Sequence, residues 1–183
     1  MPRSLLKIFV GLAAFLVAAT FAAQAGMERI VSRYTSTARV KSLSYQEARG
    51  EGVDGFRALH RGFGGYQLEH LAGDERSWIN VKYKNHTVDL YAATMEAGGG
   101  TFPRKANDIV EWRGSEKDGV FTPCAIIYRL EAGNDETRKT HTRLIVIKLD
   151  GPKSAIVGYA QGKNEQADAH RLADNACARS KTD

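Results

Sequence analysis

Apolar residues fall into three kinds of pattern along the chain. The first is an unbroken uncharged run over residues 8–23, preceded by Arg3 and Lys7 and closed by Ala23-Gln24-Ala25. A basic start, a short apolar stretch and small residues flanking one position make a secretory leader, cut after Ala25. At about 16 residues the run is shorter than the ~20 that a bilayer-spanning helix needs. No transmembrane helix is expected after cleavage.

The second pattern is alternation. Residues 66–71 alternate loosely and end in the turn cluster 72–76. Then Trp78, Asn80, Lys82 and Lys84 share one face of a strand while Ile79, Val81 and Tyr83 share the other. That is a half-buried hairpin. Residues 88–95 admit a short helix or a strand, and Gly98-Gly99-Gly100 ends them. Further on, strands are expected at 109–113, 120–131, 137–149 and 154–159, separated by the turns 114–119, 133–135 and 150–152. Short turns make neighbours antiparallel, so these form a four-strand meander. Residues 26–54 are polar and weakly periodic, with one strand expected around 38–43.

The third pattern is helical. Ala169, Leu172, Ala173 and Ala176 form one stripe behind the cap Asn164, and Asp168 favours the first turn. The face is flat and suited to lie on a sheet. The expected organisation is a leader (1–25), an extended or partly mobile lead-in (26–55), one domain (56–178) and a disordered tail (179–183). The domain is α+β: mostly an antiparallel β meander with an N-terminal hairpin and a C-terminal helix packed on the sheet.

Export places Cys124 and Cys177 in an oxidising compartment, where a single pairing is open to them. A bond across 53 positions contributes about 4 kcal/mol by the chain-entropy argument; the alternative is two buried thiols. If bonded, the helix covers the face that carries Cys124, Ile126, Tyr128 and Leu130. The opposite face shows Ala125, Ile127, Arg129 and Glu131. A turn near residue 135 then sets Arg129 opposite His141 and Ile127 opposite Arg143, gathering a basic patch. Gly114 and Gly119 permit two loop lengths, so the face taken by Trp112 stays open.

Composition narrows function by exclusion. With 43% hydrophobic, 26% charged and 9% aromatic residues the chain is neither fibrous nor disordered throughout. Losing Arg3 and Lys7 brings the net charge from +5 to +3, too weak and scattered for a nucleic-acid surface. The stretch from Arg61 to Leu68 approaches an aromatic RNA-stacking strand, but Gly65 and Leu68 stand where rings are needed. The five histidines form no metal-ligand spacing, and no nucleophile elbow or phosphate-binding glycine loop occurs. No catalytic residue, metal or cofactor is assigned. The residues that binding surfaces overuse are Trp78, Trp112, Arg113, Arg129 and Arg143, with His141 beside them. Trp78 is either an exposed anchor or covered by the lead-in.

The strand Ile109-Val110-Glu111-Trp112-Arg113, the segment from Ala125 to Arg129, Val157-Gly158-Tyr159 and the Ala-rich helix ending at Cys177 together resemble a group of small exported proteins of alphaproteobacteria. The resemblance spans about residues 60–177 and implies location and kinship, but no activity. Members carry a cysteine where His60 stands, so the N-terminal disulfide that the resemblance implies is absent.

The expected function is a periplasmic or secreted, non-catalytic binding module. Its partner would be an envelope protein or an anionic envelope component, with inhibition of a hydrolase as one form by fold-level analogy. Two alternatives stand beside it. One is a small periplasmic hydrolase whose site is assembled from scattered residues, favoured by a cleft that holds two carboxylates or a His beside a Ser or Cys, and disfavoured by a solid core without a cleft. The other is a passive envelope protein. Oligomeric state is left open.

Overall fold

A computed structural model describes residues 29–50, 53–99, 102–134, 137 and 139–179. The expected leader lies outside these residues, as does all of the expected tail beyond Arg179. The described elements are β1 (Arg29–Ser36), a 3-10 turn (Arg39–Lys41), β2 (Ser44–Gly50), β3 (Val53–Arg61), β4 (Tyr66–Gly73), β5 (Arg76–Tyr83) and β6 (His86–Val88). After them come α1 (Tyr91–Ala97), β7 (Phe102–Lys117), β8 (Val120–Asn134), β9 (Lys139–Lys148), β10 (Ala155–Ala160) and α2 (Glu165–Arg179).

Local chemistry explains the tight connections. Asp74 and Glu75 (φ 51° and 60°) link β4 to β5, and Asp118-Gly119 (φ 52° and 76°) links β7 to β8. Two residues at positive φ make the turn whose twist matches that of a hairpin. Such links lay β2 to β6 side by side in chain order as one antiparallel sheet. The second sheet runs β1-β7-β8-β9-β10, also antiparallel. The fold is α+β, with the expected β4–β5 hairpin, β7–β10 meander and C-terminal helix all present.

Three layers result. Leu68, Ile79, Val81 and Leu90 pack against Val110, Trp112, Ile126, Tyr128, Ile145 and Ile147 between the two sheets. Burying each such side chain contributes about 1.5–3 kcal/mol, so this is the main core. On the outer face of the β7–β10 sheet, Ala169, Ala173 and Cys177 of α2 rest on Ala125, Ile127, Leu144 and Val146. Small helix residues let α2 approach closely. Cys124 and Cys177 stand at disulfide distance, their Cα atoms 5.1 Å apart.

Three expectations need correction. The lead-in holds two strands: β1 pairs with β7 and β2 with β3, while a 3-10 turn occupies the place of the strand expected around 38–43. Second, α2 covers the face of Ala125 and Ile127, not that of Ile126, Tyr128 and Leu130. The cause is a bulge: Arg113 pairs with Ala125 and Gly114 with Pro123, leaving Cys124 as an extra residue. A bulge inverts the in–out alternation at one point, so Cys124 joins the helix side together with Ala125. Third, Arg129 pairs with Leu144 and Leu130 with Arg143. That register lies three positions from the expected one, and an odd displacement moves every partner to the other face.

Candidate functional site

The corrected register disperses the expected basic patch. Arg129 lies on the outer face, where its Nη2 donates to Glu165 Oε1 of α2 at 2.6 Å. Arg143 and His141 lie on the inner side and close the C-terminus of α1. Arg143 Nη1 donates to the Ala97 carbonyl at 2.5 Å, and His141 Nε2 donates to the Gly98 carbonyl at 3.1 Å. Cationic or donor side chains there satisfy carbonyls that a helix end leaves unpaired and oppose its negative dipole end. Arg143 also stacks on the Tyr159 ring at 4.1 Å and donates to Gln161 Oε1.

The other candidates are structural as well. Trp112 is fully buried between the sheets, its Nε1 donating to Thr35 Oγ1 at 2.7 Å and its ring edge-on to Phe63. A residue at that depth has no surface to offer a ligand. Arg113 forks onto Asp174 of α2 through Nε and Nη2 at 2.7–3.0 Å and reaches Ser32 Oγ with Nη1 at 2.7 Å. Trp78 is half-buried against Tyr91, ring centroids 4.8 Å apart.

What stays open is the outer face around Tyr34 of β1 and Ile109 of β7, past the edge of α2. Tyr34 is 61% exposed and Ile109 60% exposed. The register pairs Ser36 with Ile109 and Tyr34 with Glu111, so the two side chains lie diagonally on one face. They share a depression of about 660 Å³ with Thr35, Ser36, Lys41 and Arg61. Among the described residues no acidic side chain lines it. Among the described residues neither Lys41 nor Arg61 has an ion-pair partner, and with two unpaired cations at its border the depression carries positive potential.

Tyr34 and Ile109 also wall a second cleft of about 380 Å³, which runs beneath the flank of α2 over Ile127 and Leu144. Its polar end is built around Glu111, a nearly buried carboxylate. Ser32 Oγ donates to Glu111 Oε1 at 2.5 Å, His170 Nε2 donates to the same oxygen at 2.8 Å, and Gln166 Nε2 donates to Oε2 at 2.9 Å. Every donor comes from β1 or α2, so the cluster ties the edge strand to the helix as well as lining the cleft. Of the six binding residues expected from sequence, Arg129 alone lines this cleft.

Tyr34, Lys41, Arg61, Ile109, Glu111, Gln166 and His170 were not singled out from the sequence. The alternation of Ile30, Ser32 and Tyr34, with Val31 and Arg33 between, was the available signal for β1. No metal-holding group of three or more His, Cys, Asp or Glu side chains occurs among the described residues. Neither a family model, nor a curated protein, nor a solved structure matches the chain. The chemistry of these surfaces therefore carries the functional reading.

Proposed function

We propose that the protein is an exported binding protein that seats an anionic amphiphile of the cell envelope across Tyr34 and Ile109. The observation that carries the reading is the depression itself: two large apolar side chains, each three-fifths exposed, bordered among the described residues by two unpaired cations and by no acid. Neighbouring apolar groups left in water on a sheet face mark a surface meant to be covered. Unpaired cations beside them select an occupant with an apolar body and an anionic end. The adjoining cleft over Ile127 and Leu144 extends the apolar track toward Arg129.

The leader expected over residues 1–25 and the cysteine pair at disulfide distance support an oxidising, exported setting. Among the described residues no helix is long and apolar enough to cross a membrane. An exported protein would meet such amphiphiles at the envelope.

Dodecyl phosphate and dodecyl maltoside, both below their micelle concentrations, test the reading by calorimetry. They share a tail and differ in head-group charge. Dodecyl phosphate is expected to bind at least about tenfold tighter, a difference of ~1.4 kcal/mol. Tyr34→Ser is expected to weaken both ligands, and Lys41→Glu with Arg61→Glu to remove the preference for phosphate. Equal affinities for the two amphiphiles, or a preference untouched by the charge reversals, would overturn it.

A further inference from the structure

A different cavity, of about 360 Å³, opens between the ends of the two sheets, and the groups lining it are those of acyl-transfer chemistry. His70 of β4 and Ser77 of β5 lie on the inner face of their sheet, one cross-strand step apart, since His70 pairs with Ile79 and Ala72 with Ser77. Ser77 Oγ and His70 Nε2 are 2.8 Å apart. His70 Nδ1 faces the Thr37 carbonyl at 3.5 Å. A carbonyl can only accept, so the tautomer that suits this site carries its proton on Nδ1 and leaves the Nε2 lone pair to accept from the Ser77 hydroxyl. Nucleophile, base and a group that orients the base thus stand in the order that activates a serine.

The surroundings fit the same chemistry. The Ala106 backbone N–H of β7 donates to Ser77 Oγ at 3.3 Å and so fixes the hydroxyl oxygen in the cavity wall. Phe56 meets His70 edge-on at 5.0 Å and restrains the ring. Arg76, Arg104 and Lys105 line the cavity together with the carboxylates of Asp54, Glu75 and Asp108.

We propose that Ser77 and His70 form a catalytic pair that hydrolyses a short-chain carboxylic ester, independently of amphiphile binding at Tyr34 and Ile109. Ser77 Oγ bonds to the carbonyl carbon while its proton passes to His70 Nε2. The C–O bond to the alcohol breaks, and the departing oxygen keeps the electron pair and takes that proton. Water then attacks the acyl-serine, gives one proton to His70 and leaves its hydroxyl on the acyl carbon. Ser77 Oγ departs with the proton. One ester and one water become one acid and one alcohol. The modest cavity volume matches a small acyl group.

Burial lowers the pKa of His70 from its ordinary 6.5, while the Thr37 carbonyl and the Asp108 carboxylate act in the opposite direction. The base is therefore neutral and ready at neutral pH, with Asp108 placed to favour the imidazolium that forms. His60 is the other titratable ring near it, 6.4 Å away between centroids.

The test is phosphonylation of the folded protein by a fluorophosphonate, read by peptide mass spectrometry, beside hydrolysis of p-nitrophenyl acetate. The expected result is one adduct per chain, on Ser77, formed by the folded protein and not by the urea-unfolded chain. Acetate hydrolysis should fall about 100-fold or more in Ser77→Ala, the span that an activated nucleophile and its base supply. Its rise with pH should track His70 and disappear in His70→Gln. Wild-type labelling needs no variant to fold. Absence of an adduct on Ser77, equal labelling of folded and unfolded chains, or hydrolysis unchanged in Ser77→Ala would overturn the proposal.

Discussion

The two faces of the β1-β7-β8-β9-β10 sheet are covered in different ways. Its inner face meets a whole second sheet, and Trp112, Tyr128, Ile126, Ile145 and Ile147 are all 0–1% exposed there. Its outer face meets one helix whose contact residues are mostly Ala. A helix with so flat a face comes close but covers only a strip. The strip runs from β10 to β7, where it holds Glu111 and Arg113, and leaves Tyr34 and Ile109 in water. The main core therefore lies on one face and the proposed recognition surface on the other, within residues that are sequence neighbours: Val110 and Trp112 point inward, Ile109 and Glu111 outward.

The sharpest test of that division is a pair of truncations three residues apart. Trp112→Ala removes a ring packed against Phe63 and leaves the Thr35 hydroxyl without its donor. It should cost about 3–5 kcal/mol in urea unfolding. Ile109→Ala should change stability by less than about 0.5 kcal/mol, because the side chain is already largely solvated. Similar losses for the two variants would break the comparison.

Acid should strain the inner side. His60 is fully buried, and His70 is buried beside it. Burial lowers the pKa of both rings. For His60 the neighbouring His70 acts in the same direction, while the Lys41 backbone and Asp108 oppose it. The unfolded chain takes up protons at an ordinary pKa near 6.5, whereas the folded chain resists them. The stability these rings contribute is thus complete above pH 6.5 and is lost as pH falls below it. Unfolding free energy should decline between pH 7 and pH 5.5. His60→Leu, which carries no titratable ring, should flatten that slope. A slope that His60→Leu leaves unchanged would remove His60 from the account.

The elements were legible where the pattern was local. Period-two alternation marked β4 and β5, the turn expected over 114–119 located the β7–β8 link although β7 runs on to Lys117 and only Asp118-Gly119 turn, and the Ala169-Leu172-Ala173-Ala176 stripe marked α2. Two things that place the site were not local. β1 finds its partner about 80 residues away in sequence (Arg33 pairs with Trp112), and no short-range signal announces such a pairing. The face assignments hung on single-residue parity. One bulge at Cys124 and a β8–β9 connection that closes at Asn134 and Lys139 each inverted a face. The residues expected to share a surface were therefore correctly recognised as strand residues and wrongly grouped. The Ser77–His70 pair required the β4–β5 register in three dimensions, together with Ala106 from β7.

Arg129 and Arg143 allow the smallest and most discriminating test, because the sequence grouped them and the register separates them. Arg143 holds the Ala97 carbonyl and the Tyr159 ring on the inner side, so Arg143→Ala should cost about 1–2 kcal/mol through the loosened end of α1. Arg129 makes a partly exposed ion pair with Glu165, and Arg129→Ala should cost less than about 1 kcal/mol. The two share no partner and lie on opposite faces of the sheet, so the double variant should show the sum of the two losses to within about 0.5 kcal/mol. A larger coupling energy would mean that the faces communicate through the strands. The division between a stabilising face and the proposed recognition face would then fail at β8 and β9, where only one layer of backbone separates them.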